Sequence, residues 1–137
     1  KETKSSYEIE WENYNFNKNQ KFLNSLKNIE IAKKLEIKNV IKFHNLIMPN
    51  EKKELNIRRF NNYIASWNEL MWEILIDYIC PKWKDVNFLL QDLLNFYEKN
   101  RNNLNPILLA SLFSLFLVFI HPFSDWNGRL SRFFFHY

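Results

Sequence analysis

A mainly helical bundle carrying one small β-hairpin is the fold this sequence predicts, on three observations. Apolar residues 86, 89, 90, 93, 94 and 97 form a single helical stripe, and residues 35–47 repeat their apolar positions at a helical period. Residues 107–120 are an almost unbroken apolar run. One stretch alone, 57–80, has the β-branched and aromatic content of strands. A chain of 137 residues makes one domain with a real core, and its 47% hydrophobic and 18% aromatic content argue against disorder.

The first twenty residues hold one apolar patch, Tyr7, Ile9 and Trp11, in a Lys-, Glu- and Asn-rich context. They read as a short helix docked on the body, with a polar linker over 13–21. The helix over 35–47 presents Ile37, Val40, Ile41, Phe43 and Leu46, and Pro49-Asn50 ends it. Tyr63-Ile64 and residues 74–79 suit two strands, with Ser66-Trp67-Asn68 between them. Asp85 is placed to N-cap the next helix, from Val86 to about Asn100. Asn105 and Pro106 supply a cap and a first-turn proline for the 107–120 helix. That run, fourteen residues with two serines, falls short of the roughly 20 residues a membrane span needs. It is expected to be buried on all sides. Pro122 ends it, pushing His121 out of the α region. A last helix is expected from Asn127-Gly128, turning Leu130, Phe133 and Phe134 inward. The chain starts without Met and ends in Phe-Phe-Phe-His-Tyr, so a longer parent chain is expected. The domain plan is an N-terminal helix and linker over 1–20 and a core domain over 21–137.

The formal charge of +4 comes from scattered Lys and Arg, which reads as a solvated surface. No clustered basic face or binding motif argues for nucleic acid. A single cysteine, Cys80, excludes an internal disulfide framework and a Cys-based metal cluster. It reads as a small buried residue in a reducing, cytoplasmic setting, and the polar first residues contain no signal peptide.

Chemistry concentrates in "IHPFSDWNGRLSR", residues 120–132. His121 sits at the end of a rigid helix, where its ring has little freedom. Beyond the turn, the opening N–H groups of a new helix at Asn127 and Gly128 make an anion site, and Gly128 permits close approach of a phosphate. Arg129 and Arg132 lie three apart and can fork onto further phosphates. Asp125 offers the hard oxygen that Mg²⁺ prefers. A base, a metal ligand, an anion nest and two arginines are the parts for phosphoryl or nucleotidyl transfer. Singly, each has a bland reading: a capping histidine, an Asx-turn, a solvated helix face.

Residues His121 to Arg132 resemble the Fic-domain signature, His-Pro-Phe-x-Asp/Glu-Gly-Asn-Gly-Arg-x-x-Arg. Every fixed position matches except the first glycine, which is Trp126. The resemblance extends from about residue 35 to the end. It implies an all-α Fic-type helical bundle with a small β-hairpin flap, and transfer of AMP from ATP to a Ser, Thr or Tyr hydroxyl of a target protein. It casts His121 as general base and Asp125 as the Mg²⁺ ligand. Asn127 and Gly128 would line the anion hole, Arg129 and Arg132 hold the outer phosphates, and Phe123 anchor the nucleotide-binding loop in the core. The flap, within 57–80, would pair with an extended target segment. Implied partners are ATP, Mg²⁺ and a protein substrate; a membrane is not among them, and a homodimer is left open. A related branch with lysine in place of the second motif glycine phosphorylates; Gly128 argues against that reaction.

Family members often carry an inhibitory helix of pattern Ser/Thr-x-x-x-Glu-Gly/Asn. Residues Ser6-Tyr7-Glu8-Ile9-Glu10-Trp11 fit it, again with Trp for Gly. The resemblance implies that Glu10 pairs with Arg132 and blocks productive seating of ATP, with Ser6 as the other motif residue. Average usage near 7% predicts roughly ten glycines in such a chain; there is one, beside five tryptophans. Some genetic codes read UGA as glycine and others as tryptophan. On that basis Trp11 and Trp126 are expected to be glycine in the cell, with Trp67 and Trp83 also at natural turn positions. The rival reading is a catalytically inactive interaction module in which Trp126 fills the anion hole.

Overall fold

The structure, a computed structural model, describes residues 34–48 and 53–135. Among them are four helices and a two-stranded antiparallel sheet, in the order helix, hairpin, three helices. The expected N-terminal helix and linker over 1–20 lie outside the described residues.

Helix α1 spans Ile37–Ile47; the Glu36 backbone N–H donates to Asn39 Oδ1 at 2.9 Å, satisfying one donor ahead of the first turn. It buries Val40, Phe43, His44 and Ile47. The periodicity is as expected but the stripe is rotated: Leu46 faces out, and His44 takes the inward position one turn after Val40. A second helix, α2, spans Trp83–Asn100 and starts earlier than the sequence suggested. Asp85 lies within its first turn and caps nothing. The Asn61 side chain reaches across to accept the Trp83 N–H at 3.2 Å, so a distant residue satisfies the helix start. Val86, Leu90, Leu93 and Leu94 are buried, with Leu89 and Tyr97 partly so, as the stripe predicted.

Helix α3, Pro106–Ile120, is capped as expected: Asn105 Oδ1 accepts from the Ile107 and Leu108 N–H groups. Its burial differs from expectation. Leu109, Phe113, Leu117 and Ile120 face the core, while Ile107, Leu108, Leu115, Phe116 and Phe119 are exposed. A run that is apolar all round carries no record of which face is covered. Here α2 packs on one flank and helix α4, Asn127–Phe135, on the other. Tyr78 of the hairpin packs edge-on against Phe119, and the other outer side chains stay exposed among the described residues. Where α3 meets α4, Ser114 Oγ donates to the Ser131 carbonyl at 2.7 Å and Ser131 Oγ returns to the Ser114 carbonyl at 2.9 Å. Two small side chains thus let the backbones approach closely.

Leu130, Phe133 and Phe134 turn inward from α4 as predicted. Phe133 and Phe134 meet Phe43 of α1 with ring centroids 5.4 and 5.6 Å apart, and Phe134 lies 5.0 Å from Phe113 of α3. These tilted and edge contacts join three helices in one aromatic core.

Strands β1, Tyr63–Asn68, and β2, Glu73–Ile79, pair in register Tyr63↔Ile79 through Asn68↔Glu73. An irregularity at Ile64/Ala65 leaves Asp77 as the extra residue. Ser66-Trp67-Asn68 is therefore strand and not the turn expected of it. The turn is 69–72, and Asn68 Oδ1 holds it by accepting from the Leu70 and Met71 N–H groups. Trp83, also expected at a turn, begins α2. Such a hairpin is marginal alone; Tyr78 anchors it, donating its hydroxyl to the Phe119 carbonyl at 2.9 Å. No helix of the described residues is long and apolar enough to cross a membrane. Cys80 is buried, as expected.

Two neighbours on α3 should separate its faces. Leu117→Ala, at a fully buried position, is expected to lose about 2–5 kcal/mol of unfolding free energy. Phe116→Ala, on the outer face, should stay within about 0.5 kcal/mol in this domain. Urea denaturation of both variants tests the assignment.

Candidate active site

Residues 121–126 turn the chain from α3 into α4. Phe123 is fully buried and stacks on His44 of α1, with centroids 3.8 Å apart and planes at 11°. His44 Nε2 donates to the Asp125 carbonyl at 3.0 Å, and its Nδ1 is buried without a hydrogen-bond partner. Burial pushes this imidazole below its ordinary pKa, which favours the neutral ring that the geometry requires.

Asn127 closes the turn from the other side. Its Oδ1 accepts from the Phe123 N–H at 3.0 Å and its Nδ2 donates to the Phe123 carbonyl at 2.9 Å. The side chain expected to line an anion hole is thus committed inside the turn, where it shapes the loop. Asp125 is exposed and accepts from the Trp126 N–H at 2.7 Å. Ser124 is held from outside: Glu54 Oε1 accepts from its N–H at 3.0 Å and its hydroxyl at 2.6 Å.

His121 is half-buried and ends α3 in the left-handed region, φ 51° and ψ 60°. Its ring Nδ1–H donates to the Val118 carbonyl at 3.0 Å, which leaves Nε2 as the basic nitrogen. Burial first, and then the nearby Arg58 charge, push its pKa below the usual imidazole value. Both favour a neutral base. Helix α4 starts directly after the turn, with the Leu130 N–H donating to the Trp126 carbonyl, so the N–H groups of its first turn have no intrahelical acceptor. Gly128 lies in that turn. Arg132 is half-buried one turn on, and Arg129 is buried.

Trp126 is the anomaly. Its backbone is left-handed at φ 63°, which costs a non-glycine residue about 1–2 kcal/mol. Its ring is buried, and the Arg129 guanidinium lies 3.8 Å from the ring centroid. In this chain as written, the arginine expected on the outer phosphates stacks on the indole. One other tryptophan among the described residues has positive φ: Trp72, at 53° in the hairpin turn.

No three His, Cys, Asp or Glu side chains converge among the described residues. Asp125 is an exposed carboxylate. That donor set suits Mg²⁺ shared with a nucleotide's phosphates, not a metal held by protein alone. Sequence reasoning missed His44, Glu54 and Arg58. His44 had one signal, its place one turn after Val40 in the inward stripe. The suspected inhibitory residues Ser6 and Glu10 lie outside the described residues.

The model of the Fic/DOC family matches residues 34–137. The chain belongs to this family. Solved structures share the Fic fold at low identity. A Fic domain containing signaling protein from Bacteroides thetaiotaomicron is 19% identical, with TM-score 0.61 over 76% of this chain and 38% of that one. A Fic family protein from Desulfovibrio desulfuricans is 22% identical, with TM-score 0.59 over 94% of this chain and 39% of that one. The chain therefore corresponds to about two-fifths of either structure's length. No curated protein matches it.

Removing the Asn127 amide tests the turn. Asn127→Ala leaves a buried N–H and carbonyl of Phe123 unpaired and is expected to destabilise the Fic domain by about 2–4 kcal/mol in chemical denaturation.

Proposed function

We propose that the chain is a protein adenylyltransferase, moving AMP from ATP to a Ser, Thr or Tyr hydroxyl of a target protein. The observation that carries this reading is His121, whose ring nitrogen Nδ1 is tied to the Val118 carbonyl and whose pKa burial holds down, fixed at the end of α3 six residues before the start of the next helix of a Fic motif. Transfer in general proceeds as the hydroxyl oxygen forms a bond to the α-phosphorus and the bond from that phosphorus to the β-bridging oxygen breaks. Pyrophosphate leaves and the hydroxyl proton passes to His121 Nε2. The first-turn N–H groups of α4 and Gly128 suit the phosphates, and Arg132 the outer ones. Asp125 would hold Mg²⁺, whose charge offsets that of the phosphates when bound. In this reading Glu10, after Ser6, pairs with Arg132 and holds the enzyme inactive.

Position 126 decides whether the chain as written turns over. A left-handed backbone, a buried phosphate-facing turn and a missing motif glycine together support glycine decoded from UGA. Trp72 carries the same backbone signature; Trp67, in a strand, and Trp83, in a helix, do not. UGA codons at 126 and 72, with glycine in peptides from the native protein, are the expected result. Ordinary UGG at 126 would favour the second reading, an inactive Fic-fold module with its anion hole filled by indole and Arg129 stacked away.

Labelled ATP and Mg²⁺ should mark the protein itself or a lysate target. Glu10→Gly is expected to raise labelling, Trp126→Gly to raise it further, and His121→Ala to lower it at least about a hundredfold. Absence of label from the folded Trp126→Gly, Glu10→Gly double variant would refute the transfer reading.

The pH dependence follows from His121. With its pKa held down, the base form prevails above about pH 6.5. The rate should rise with pH through an acid limb below that value and stay level through neutrality. NMR titration of the ring should place its midpoint on the same limb, and a midpoint above 7 would contradict the assignment.

A further inference from the structure

Beside Asn62 Nδ2, which donates to Ser124 O at 3.4 Å, and Tyr78, which donates to Phe119 O, one buried side chain joins both roots of the hairpin to the His121 turn. Arg58, in the segment before β1, is 2% exposed and has no ion-pair partner among the described residues. Its guanidinium is surrounded by backbone carbonyls. Nε donates to His121 O at 2.6 Å and Nη2 to Ile120 O at 3.2 Å. Nη1 donates to Phe60 O at 2.7 Å and Nη2 also to Pro81 O at 2.7 Å. Its own backbone N–H donates to Pro122 O at 2.8 Å.

These acceptors fall into two groups. Ile120, His121 and Pro122 are the end of α3 and the catalytic turn. Phe60 and Pro81 flank the two roots of the hairpin, just before β1 and just after β2. Burying a cation without a counter-charge is costly, and an apolar side chain of similar volume would fill the space at less cost. A planar five-donor fork, however, can serve several carbonyls at once as no apolar residue or lysine can. The residue held most directly is His121, whose left-handed backbone persists only if its surroundings over-determine it.

We propose that Arg58 is a positioning residue that locks the left-handed backbone of His121 and couples it to both roots of the hairpin. The base and the hairpin edge then move as one unit. This rests on the transfer reading for its consequence in catalysis but not for the latch itself. In that reading a hydroxyl presented from the hairpin keeps a fixed distance from His121 Nε2. Arg58 touches neither substrate nor reacting atoms. Its loss should therefore lower the turnover number and leave the nucleotide seat unchanged.

The test uses the full chain with Arg58→Met and Arg58→Lys. In hydrogen exchange, Arg58→Met should raise exchange at least tenfold at both 60–64 with 80–82 and 120–123, with amides of residues 86–97 unchanged. Arg58→Lys, which keeps the charge but not the fork, should release the same two segments to a smaller degree. In the form of the enzyme that transfers, kcat should fall at least tenfold for Arg58→Met with the KM for ATP within threefold. Release of one segment alone, or of neither, would overturn the latch whatever the activity. A uniform loss of protection in Arg58→Lys would overturn it too, reducing Arg58 to general stability. If no form of the protein transfers nucleotide while both segments loosen together, the transfer reading fails and the latch stands.

Discussion

The turn between α3 and α4 must pass polar backbone through an apolar core without leaving it unpaired. Everything else about the site depends on how that is solved. An unpaired buried N–H or carbonyl costs about 1–3 kcal/mol, and residues 120–127 contain several. Three side chains from elsewhere take carbonyls, Arg58 those of Ile120 and His121, His44 that of Asp125 and Asn62 that of Ser124, and Asn127 at the turn's own end takes that of Phe123. Asn127 and Glu54 take the N–H groups of Phe123 and Ser124. The turn is thus closed from within by Asn127 and Asp125 and held from outside by Arg58, His44, Asn62 and Glu54.

That division has a chemical consequence. With the carbonyls of this turn gripped from the core and hairpin sides, the following helix can start cleanly at Asn127, and the N–H groups of its first turn have no acceptor within the helix. Phe123, flat against His44, sets the depth of the turn. His121 then lies at a helix end whose last hydrogen bond, His121 N–H to Leu117 O at 3.1 Å, fixes where its ring begins. The placement of the His121 ring and the start of α4 are products of one packing problem.

The parts legible in the sequence were those that depend on neighbours in the chain. Helical stripes, the Asn105-Pro106 start and the motif all repeat or cluster over a dozen residues, so periodicity and spacing reveal them. The partners of the turn do not. His44 reaches Asp125 across 81 positions, Arg58 reaches His121 across 63 and Glu54 reaches Ser124 across 70. Nothing local marks a residue for such a contact. The same holds for the start of α2, moved by Asn61, and for the hairpin turn. Glu69, Leu70, Met71 and Trp72 lack turn chemistry, while Ser66-Trp67-Asn68 resembles a turn and forms strand. The exposed face of α3 was hidden for the opposite reason: uniform apolarity carries no direction.

Position 126 is where local and global demands conflict. The turn requires a left-handed residue there, and glycine meets that without a steric cost. Tryptophan meets it by accepting backbone strain, then recovers stability by burying its ring and stacking Arg129. That recovery takes the arginine to the indole, which under the proposed transfer reading withdraws it from the phosphates. Trp72, in a hairpin tip with an 80% exposed side chain, carries the same left-handed strain at φ 53°. Its exposed ring has little burial to set against that strain. Two unrelated turns with tryptophan where the backbone calls for glycine are more simply explained by one decoding rule than by two independent substitutions.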